Sequence, residues 1–138
     1  MRDIIIIGSG PAGLSAAVYG RRAGLDILVI EKEYCGTGQI AESGQVDNYL
    51  GIPGIDGYSL GEKFREHAEN LGTAFLEEEV TKLEQSDGYW KVLLAGGDVL
   101  ETKTVIYAAG ASHRHLNVPG EDKLSGRGVS YCATCDGA

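Results

Sequence analysis

Two short stretches of the sequence hold residue types that could do chemistry, and the first is CATCDG at residues 132–137. Cys132 and Cys135 are separated by two residues, and Asp136 follows at once. Two thiols at this spacing can form a disulfide across a short turn, and a helix N-terminus would lower the pKa of one of them below its free value near ~8.5. Such a thiolate is an effective nucleophile and a good leaving group in disulfide exchange. Asp136 could donate a proton to the departing thiolate. The pattern predicts a redox-active dithiol pair.

A zinc site is the alternative interpretation of the cysteine pair. It needs two further ligands, and the candidates are Cys35, His67, His113 and His115, none of which forms a second CxxC or an HxxxH pair. The sequence therefore favours redox chemistry and predicts no metal. For Asp136 the alternative is a plain carboxylate at a helix N-terminus.

The second stretch is GSGPAG, which matches G-x-G-x-x-G at Gly8, Gly10 and Gly13. Glu31 lies 18 residues after Gly13. In a dinucleotide-binding loop the first glycine permits a tight turn, and the second lets the backbone approach a pyrophosphate. The third glycine allows the helix to pack closely against the strand, and the acidic residue binds the ribose hydroxyls. An acid at this position disfavours a 2′-phosphate, so we expect FAD or NAD rather than NADP. The alternative is a glycine turn without a ligand.

The elements around this loop form a predicted βαβ unit. DIIII at 3–7 is a β-branched run typical of a buried parallel strand, LSAAVYGRRAG at 14–24 has helical spacing, and DILVIEKE at 26–33 predicts a second buried strand. The positive end of the helix dipole would then face bound phosphates.

The rest of the chain predicts a long loop, one helix and several strands. We expect an irregular functional loop at 34–58 and an amphipathic helix that begins in a capping box of Ser59 and Glu62 and closes at Gly72. From residue 74 the pattern favours a small antiparallel meander, and its last piece, TVIYAAG at 104–110, re-enters the main sheet as a buried strand.

Composition excludes several classes of function. The 138 residues suit one globular α/β domain, and a net charge of −8 argues against nucleic acid as a partner. The sequence has no apolar stretch near the ~20 residues that cross a bilayer, so we expect no membrane contact. Three cysteines are too few for a secreted disulfide scaffold, and the protein is expected to be cytoplasmic.

Taken together, four segments resemble the low-molecular-weight, bacterial-type thioredoxin reductase family in order and spacing. They are IIIIGSGPAGLSAAVYGRRAG, GTGQI with VDNYLGIPG downstream, VIYAAGA, and GRGVSYCATCDGA. The resemblance implies an α/β fold with a Rossmann-like FAD-binding domain, made of a parallel sheet with helices plus a small antiparallel β-meander and incomplete at the C-terminus. This domain would span 1–117, and 118–138 would be a connector and the start of a truncated NAD(P)H-binding domain.

The resemblance also implies roles for individual residues. Cys132 would attack thioredoxin, Cys135 would face the flavin, and Asp136 would act as the acid. The AAG segment at 108–110 replaces the usual threonine-containing form, which loses a hydroxyl but keeps the glycine. The positions matching contacts to FAD are Gly8, Ser9, Gly10, Pro11, Ala12, Gly13, Glu31, Lys32, Gly38, Gln39, Asn48, Val80, Ala109 and Gly110.

The activity implied is electron transfer from NADPH through FAD and the Cys132/Cys135 disulfide to thioredoxin, in a homodimer. Only one glycine fingerprint is present, so we expect an N-terminal fragment whose NADPH site lies in a missing region. Such a fragment should retain FAD weakly and show no NADPH-dependent turnover alone. The alternatives are a reductase of another disulfide partner, a ferredoxin-linked relative, or a non-catalytic FAD-binding module.

Overall fold

A computed structural model describes residues 1–34 and 37–133. The elements follow one another as β1 Arg2–Ile7, α1 Pro11–Arg22, β2 Ile27–Glu31, a 3₁₀ helix Gly38–Glu42, α2 Gly57–Asn70, β3 Ala74–Glu77, β4 Val80–Ser86, β5 Tyr89–Leu94, β6 Val99–Tyr107 and α3 Glu121–Leu124. The βαβ unit predicted from the sequence corresponds to β1, α1 and β2.

The described strands form one six-stranded sheet in the order β3-β2-β1-β6-β5-β4. Strands β3, β2, β1 and β6 are parallel, while β5 pairs antiparallel with both β6 and β4. The predicted α/β fold with a parallel sheet and an antiparallel meander is therefore confirmed. The prediction was wrong in assigning the segment from residue 74 to the meander, because β3 extends the parallel sheet at the otherwise unpaired edge of β2.

Apolar clusters cover both faces of the parallel strands. On one face Ile6 and Val29 pack with Leu14 and Ala17 of α1 and with Ala68 of α2. On the other face, residues of the antiparallel strands pack with residues of β1 and β2 in a second cluster. That cluster contains Ile5, Leu28, Ile30, Val92 and Leu94. Burial on both faces explains why β1 and β2 read as continuous apolar runs.

Strand β6 joins the two parts of the sheet. Thr102 pairs with Trp90 of the meander and with Arg2 of β1, so the strand leaves one ladder and enters the other at this residue. The expected return of TVIYAAG to the main sheet is confirmed, but its expected burial holds only in part. Thr104 and Tyr107 are exposed, whereas Val105 and Ile106 are partly buried against the two apolar clusters.

Helix α2 begins two residues earlier than the predicted capping box. Its N-cap is Asp56, whose carboxylate accepts a hydrogen bond from the backbone N–H of Ser59 at 2.8 Å. The same bond lowers the pKa of Asp56. With Asp56 as the N-cap, Ser59 is the third residue of the helix and donates the amide that the cap accepts, so Ser59 lies inside the helix and not at its start.

The region 37–58 is less irregular than predicted. It contains the 3₁₀ helix Gly38–Glu42 and an isolated antiparallel bridge between Val46 and Ile55. Among the helices that the structure describes, none combines the length and apolar character needed to cross a membrane.

The connector after β6 is anchored by the buried carboxylate of Glu121. One carboxylate oxygen accepts from the backbone N–H of Leu116 at 3.0 Å and lies 3.0 Å from Nδ1 of His115, and the other accepts from the N–H of Asn117 at 2.6 Å. Burial favours the neutral acid, but these hydrogen bonds outweigh it and the pKa of Glu121 falls below its usual 4.5.

We expect the connector to loosen in acid. A carboxyl group whose pKa is lower in the folded state stabilises that state above its ordinary pKa, and this contribution is lost as the pH falls through the lowered value. The amide NMR signals of Leu116 and Asn117 should therefore shift together with a midpoint below 4.5. In Glu121→Gln the same signals should already be displaced at pH 7, and signals that stay in place would contradict this role of Glu121.

Candidate functional site

A cleft of about 1030 Å³ opens at the carboxyl ends of β1, β2 and β6. In open α/β sheets, ligands bind at the carboxyl ends of two neighbouring strands from which the chain continues to opposite sides of the sheet. Here the chain leaves β1 towards β2 on one side, and β6 lies on the other. The cleft lies at this point. Its walls are the loop 7–12, residues 30–33, residues 38–40, residues 78–83 and residues 107–110.

The first and third glycines of the loop are required by close backbone contacts. Gly8 has φ +106°, and a Cβ atom there would lie 2.2 Å from the carbonyl oxygen of Ala108. A Cβ atom at Gly13 would lie 2.0 Å from the carbonyl oxygen of Gly8. Both values are far inside normal contact, so a side chain at either position would force the backbone apart.

Gly10 is different, because a Cβ atom there would project into the cleft. Among the described residues, the only atom within 4 Å of that Cβ would be the carbonyl oxygen of Thr37, at 3.8 Å. The described residues therefore leave room for a side chain at position 10, whereas a ligand lying against the loop would be blocked by it.

Helix α1 starts at the cleft with its amides uncapped. Gly10 is the N-cap in an extended conformation, Pro11 occupies the first turn, and no side chain of the described residues caps this end. The first amides of a helix have no partner within the helix, and the dipole places partial positive charge there. This end of α1 can therefore bind a phosphate or pyrophosphate group.

Glu31 lies at the end of β2 with one carboxylate oxygen engaged and the other available. Its side chain is 5% exposed, and Oε1 accepts a hydrogen bond from Nη1 of Arg65 at 2.7 Å. Oε2 is also buried and has no hydrogen-bond partner among the described residues. A buried oxygen without a partner costs free energy, which a hydroxyl donor in the cleft would recover.

The wall beside Glu31 is predominantly acidic. Glu33, Glu78 and Glu79 also line the cleft, against the cations Lys32 and Lys82. Lys32 is paired with Glu79, with 2.9 Å between Nζ and Oε1. Such a wall repels a further phosphate on the ribose and accepts hydroxyl donors, so it suits an unphosphorylated adenosine ribose.

Two glycines of α2 hold the 37–43 segment against the cleft. A Cβ atom at Gly57 would lie 1.7 Å from the carbonyl oxygen of Ile40, and one at Gly61 would lie 1.5 Å from Oγ1 of Thr37. Thr37 is fully buried, and the segment it begins carries Gly38, Gln39 and Ile40 into the cleft wall. The side-chain amide of Gln39 also donates to the carbonyl oxygen of Ala111, beyond the opposite wall.

Replacing Gly61 with alanine should displace this segment. Thr37 can rotate only part of the way out of the overlap, so we expect the free energy of unfolding to fall by roughly 1–3 kcal/mol. Gly44→Ala is the matched control, because a Cβ atom there would meet no described atom within 4 Å. Urea denaturation of both variants measures the difference, and equal stability of the two would contradict the close packing of α2 on Thr37.

Most of the residues predicted to contact a dinucleotide are brought together in this cleft. Gly13 does not line the cleft, and Asn48 is exposed and outside its lining. Contact with a ligand stays a prediction for every one of these residues. The members of the lining are Gly8, Ser9, Gly10, Pro11, Ala12, Glu31, Lys32, Gly38, Gln39, Val80, Ala109 and Gly110.

The redox pair is only partly described. Cys132 is half-buried and disulfide-bonded, and its backbone N–H donates to Oγ of Ser130 at 3.2 Å. The neighbouring ring of Tyr131 stacks on His113 with 3.8 Å between centroids. Cys135 and Asp136 lie outside the described residues, so the proposed pair and its acid stay predictions.

Several residues of the cleft wall were not predicted from the sequence. Glu78 and Glu79 follow β3, which was not recognised as a parallel strand, while Tyr107 ends β6 and Ala108 follows it. Their positions at the carboxyl ends of parallel strands are the signal that would have identified them. The partner of Glu31, Arg65, carries no such signal.

The part of the chain that the structure describes, residues 1–34 and 37–133, contains no group of three or more histidine, cysteine, aspartate or glutamate residues placed to hold a metal ion. Cys35 and Cys135 lie outside it, so the zinc alternative is not tested there.

Comparison with known proteins gives consistent matches over the whole chain. A family model described as pyridine nucleotide-disulphide oxidoreductase matches residues 2–138. The thioredoxin reductase of Bacillus subtilis is 46% identical over 136 residues, which are 99% of this chain and 42% of that protein. The chain spans less than half the length of the relatives it matches.

Solved structures agree with these matches. A thioredoxin reductase from Streptococcus pyogenes superposes with a TM-score of 0.86 at 43% identity, over 100% of this chain and 44% of that one. A ferredoxin-flavin thioredoxin reductase from Clostridium acetobutylicum gives a TM-score of 0.72 at 38% identity, over 98% and 46% of the two chains. The resemblance predicted from the sequence is confirmed.

Proposed function

Because the chain belongs to the pyridine nucleotide-disulphide oxidoreductase family, we propose that it forms the FAD-binding part of a thioredoxin reductase. Electrons would pass from NADPH through FAD and the Cys132/Cys135 disulfide to thioredoxin. The relatives named above support this proposal, and so does the cleft. We divide the chain into an FAD-binding region at 1–117 and a connector with the start of an NAD(P)H-binding region at 118–138.

The observation that carries the proposal is the unpartnered Oε2 of Glu31 across the cleft from the uncapped end of α1. One end offers an acceptor for ribose hydroxyls, and the other offers amide donors for a pyrophosphate. Gly10 lines the same cleft, and the nearest described atom to a Cβ atom there would be the carbonyl oxygen of Thr37 at 3.8 Å. These three features fit the adenosine diphosphate half of FAD.

The residues of the cleft and the cysteine pair would have separate roles in this function. The amides of the loop 8–13 would bind the pyrophosphate, Glu31 would bind the adenosine ribose, and Gln39 would fix the 37–43 segment beside the ligand. Bound FAD supplies a two-electron carrier between a hydride donor and a disulfide. Cys132 would exchange disulfides with the substrate protein, and Asp136 would hold the proton that a departing thiolate needs.

The activity of the whole protein extends beyond the described residues. The NADPH site, the docking of thioredoxin, the homodimer and the cytoplasmic location are proposals from the relatives, which are more than twice as long as this chain. The similarity to a ferredoxin-flavin thioredoxin reductase favours ferredoxin as the second candidate electron donor.

Anaerobic titration of the FAD-loaded chain with dithionite, followed by visible absorbance, tests the electron path. We expect uptake of about four electrons per flavin, because the flavin and one disulfide each take two. Cys132→Ser should lower the uptake to about two, since no disulfide then accepts electrons from the flavin. Uptake of about two by the unaltered chain, with its disulfide intact beforehand, would contradict electron transfer to the cysteine pair.

A further inference from the structure

Arg65 of α2 connects the candidate ribose-binding carboxylate to the body of the protein. Its Nη1 donates to Oε1 of Glu31 at 2.7 Å, and its Nε donates to Oε1 of Glu69 at 2.6 Å. The side chain of Arg65 is 16% exposed, whereas that of Glu69 is 51% exposed. The pair with Glu31 is therefore the buried one, and the pair with Glu69 lies at the surface.

Two aromatic rings fix the guanidinium group. Its Cζ lies 3.5 Å from the ring centroid of Phe75 and 4.9 Å from that of Tyr34. Burial and the hydrogen bond to Glu62 raise the pKa of Tyr34 to about 12, so its hydroxyl keeps the proton that it donates to Glu62. A guanidinium group held by rings and by two carboxylates has little freedom to leave Glu31.

The consequence for Glu31 is a difference between its two oxygens. Oε1 is occupied by Arg65, while Oε2 has no partner among the described residues. We propose that Arg65 is a positioning residue, which holds Glu31 so that Oε2 stays available for the ribose hydroxyls of the bound dinucleotide. This inference rests on the proposed function, because it concerns the adenosine end of the same cleft.

Removal of Arg65 would change hydroxyl recognition more than phosphate binding. A buried carboxylate without its cation is strongly unfavourable, so Glu31 would turn towards solvent or take up a proton. In either case Oε2 would no longer present a fixed, charged acceptor. The side-chain hydrogen bonds that the structure describes for Arg65 go to Glu31 and Glu69 and not to the uncapped end of α1, which would bind the pyrophosphate.

The test compares binding of ADP with binding of 2′,3′-dideoxy-ADP, which lacks both ribose hydroxyls. A hydrogen bond to a charged group contributes about 1.5–3 kcal/mol, so the unaltered chain should bind ADP roughly tenfold or more tightly than the analogue. In Arg65→Met this ratio should fall below about threefold, and in Arg65→Lys, which keeps the charge without the planar group, it should be intermediate. Calorimetry of each variant gives the ratio directly.

Arg21→Met is the matched control for a structural arginine. Arg21 donates from Nε to the carbonyl oxygen of Leu71 at 3.0 Å and from Nη1 to that of Leu25 at 2.9 Å, and it does not line the cleft. Its replacement should lower the thermal stability and leave unchanged the ratio of the affinity for ADP to the affinity for 2′,3′-dideoxy-ADP. A merely structural role of Arg65 would give the same result as Arg21.

The outcomes separate the two proposals. An unchanged ratio in Arg65→Met, or in Arg65→Lys if the methionine variant does not fold, overturns the positioning role while leaving the proposed function standing. Failure of the folded, unaltered chain to bind ADP or FAD overturns the proposed function and this inference with it. In a Glu31→Gln background, Arg65→Lys should have no further effect on the ratio, because the carboxylate that Arg65 positions is gone.

Discussion

Replacing Gly10 with alanine should remove dinucleotide binding and leave the fold intact. The added methyl group would enter the cleft, and the nearest described atom, the carbonyl oxygen of Thr37, is 3.8 Å away. A pyrophosphate could then no longer approach the loop amides. Loss of two charge-assisted hydrogen bonds, at about 1.5–3 kcal/mol each, corresponds to a decrease in FAD affinity of roughly 100-fold or more.

Quenching of flavin fluorescence measures this affinity, and urea denaturation in the absence of ligand measures stability. The free energy of unfolding of Gly10→Ala should stay within about 0.5 kcal/mol of that of the unaltered chain, as for Gly44→Ala. An affinity for FAD that is the same in both glycine variants would show that the ligand does not lie against position 10.

Replacing Gly13 with alanine should have the opposite effect, a large loss of stability. The new Cβ atom would lie 2.0 Å from the carbonyl oxygen of Gly8 and 3.3 Å from Cγ2 of Ile6. The first contact involves backbone, so α1 would have to move away from β1. We expect the free energy of unfolding to fall by about 3 kcal/mol, at the upper end of the range for overpacked interiors.

Gly20→Ala, in the same helix, is the control for this prediction. A Cβ atom at Gly20 would meet Cδ1 of Ile27 at 2.7 Å, which is the end of a side chain that can rotate. The loss of stability should therefore be clearly smaller than at Gly13, as judged by thermal unfolding followed by circular dichroism. Equal losses in the two variants would contradict the tight contact between the loop and α1.

The sequence predicted the parts of the fold that depend on local pattern. β1, α1 and β2 were identifiable because an apolar run, a glycine loop and a helical period follow one another within 31 residues. The cleft followed from the same unit, since its glycines and Glu31 have a known spacing. Local pattern could not show that β3 belongs to the parallel sheet, because that depends on the unpaired edge of β2.

Long-range contacts account for what the sequence analysis missed. Arg65 lies 34 residues from Glu31, and its position in α2 gave no reason to pair it with a strand end. The cap of α2 was assigned to Ser59 because a glutamate three residues later completes a capping box, although Asp56 makes the actual bond. Asp56 is a residue type that caps helices as well, although it has no glutamate or glutamine three positions later.

Titration of FAD into the ligand-free 138-residue chain is the measurement that bears most directly on the proposed cofactor site. We expect one FAD per chain, with affinity lowered by Glu31→Gln, because a neutral amide oxygen is a weaker acceptor for the ribose hydroxyls than a carboxylate. Circular dichroism establishes that the chain is folded before ligand is added. Absence of FAD binding by the folded chain, or identical affinity in Glu31→Gln, would contradict the assignment of the cleft to the adenosine half of FAD.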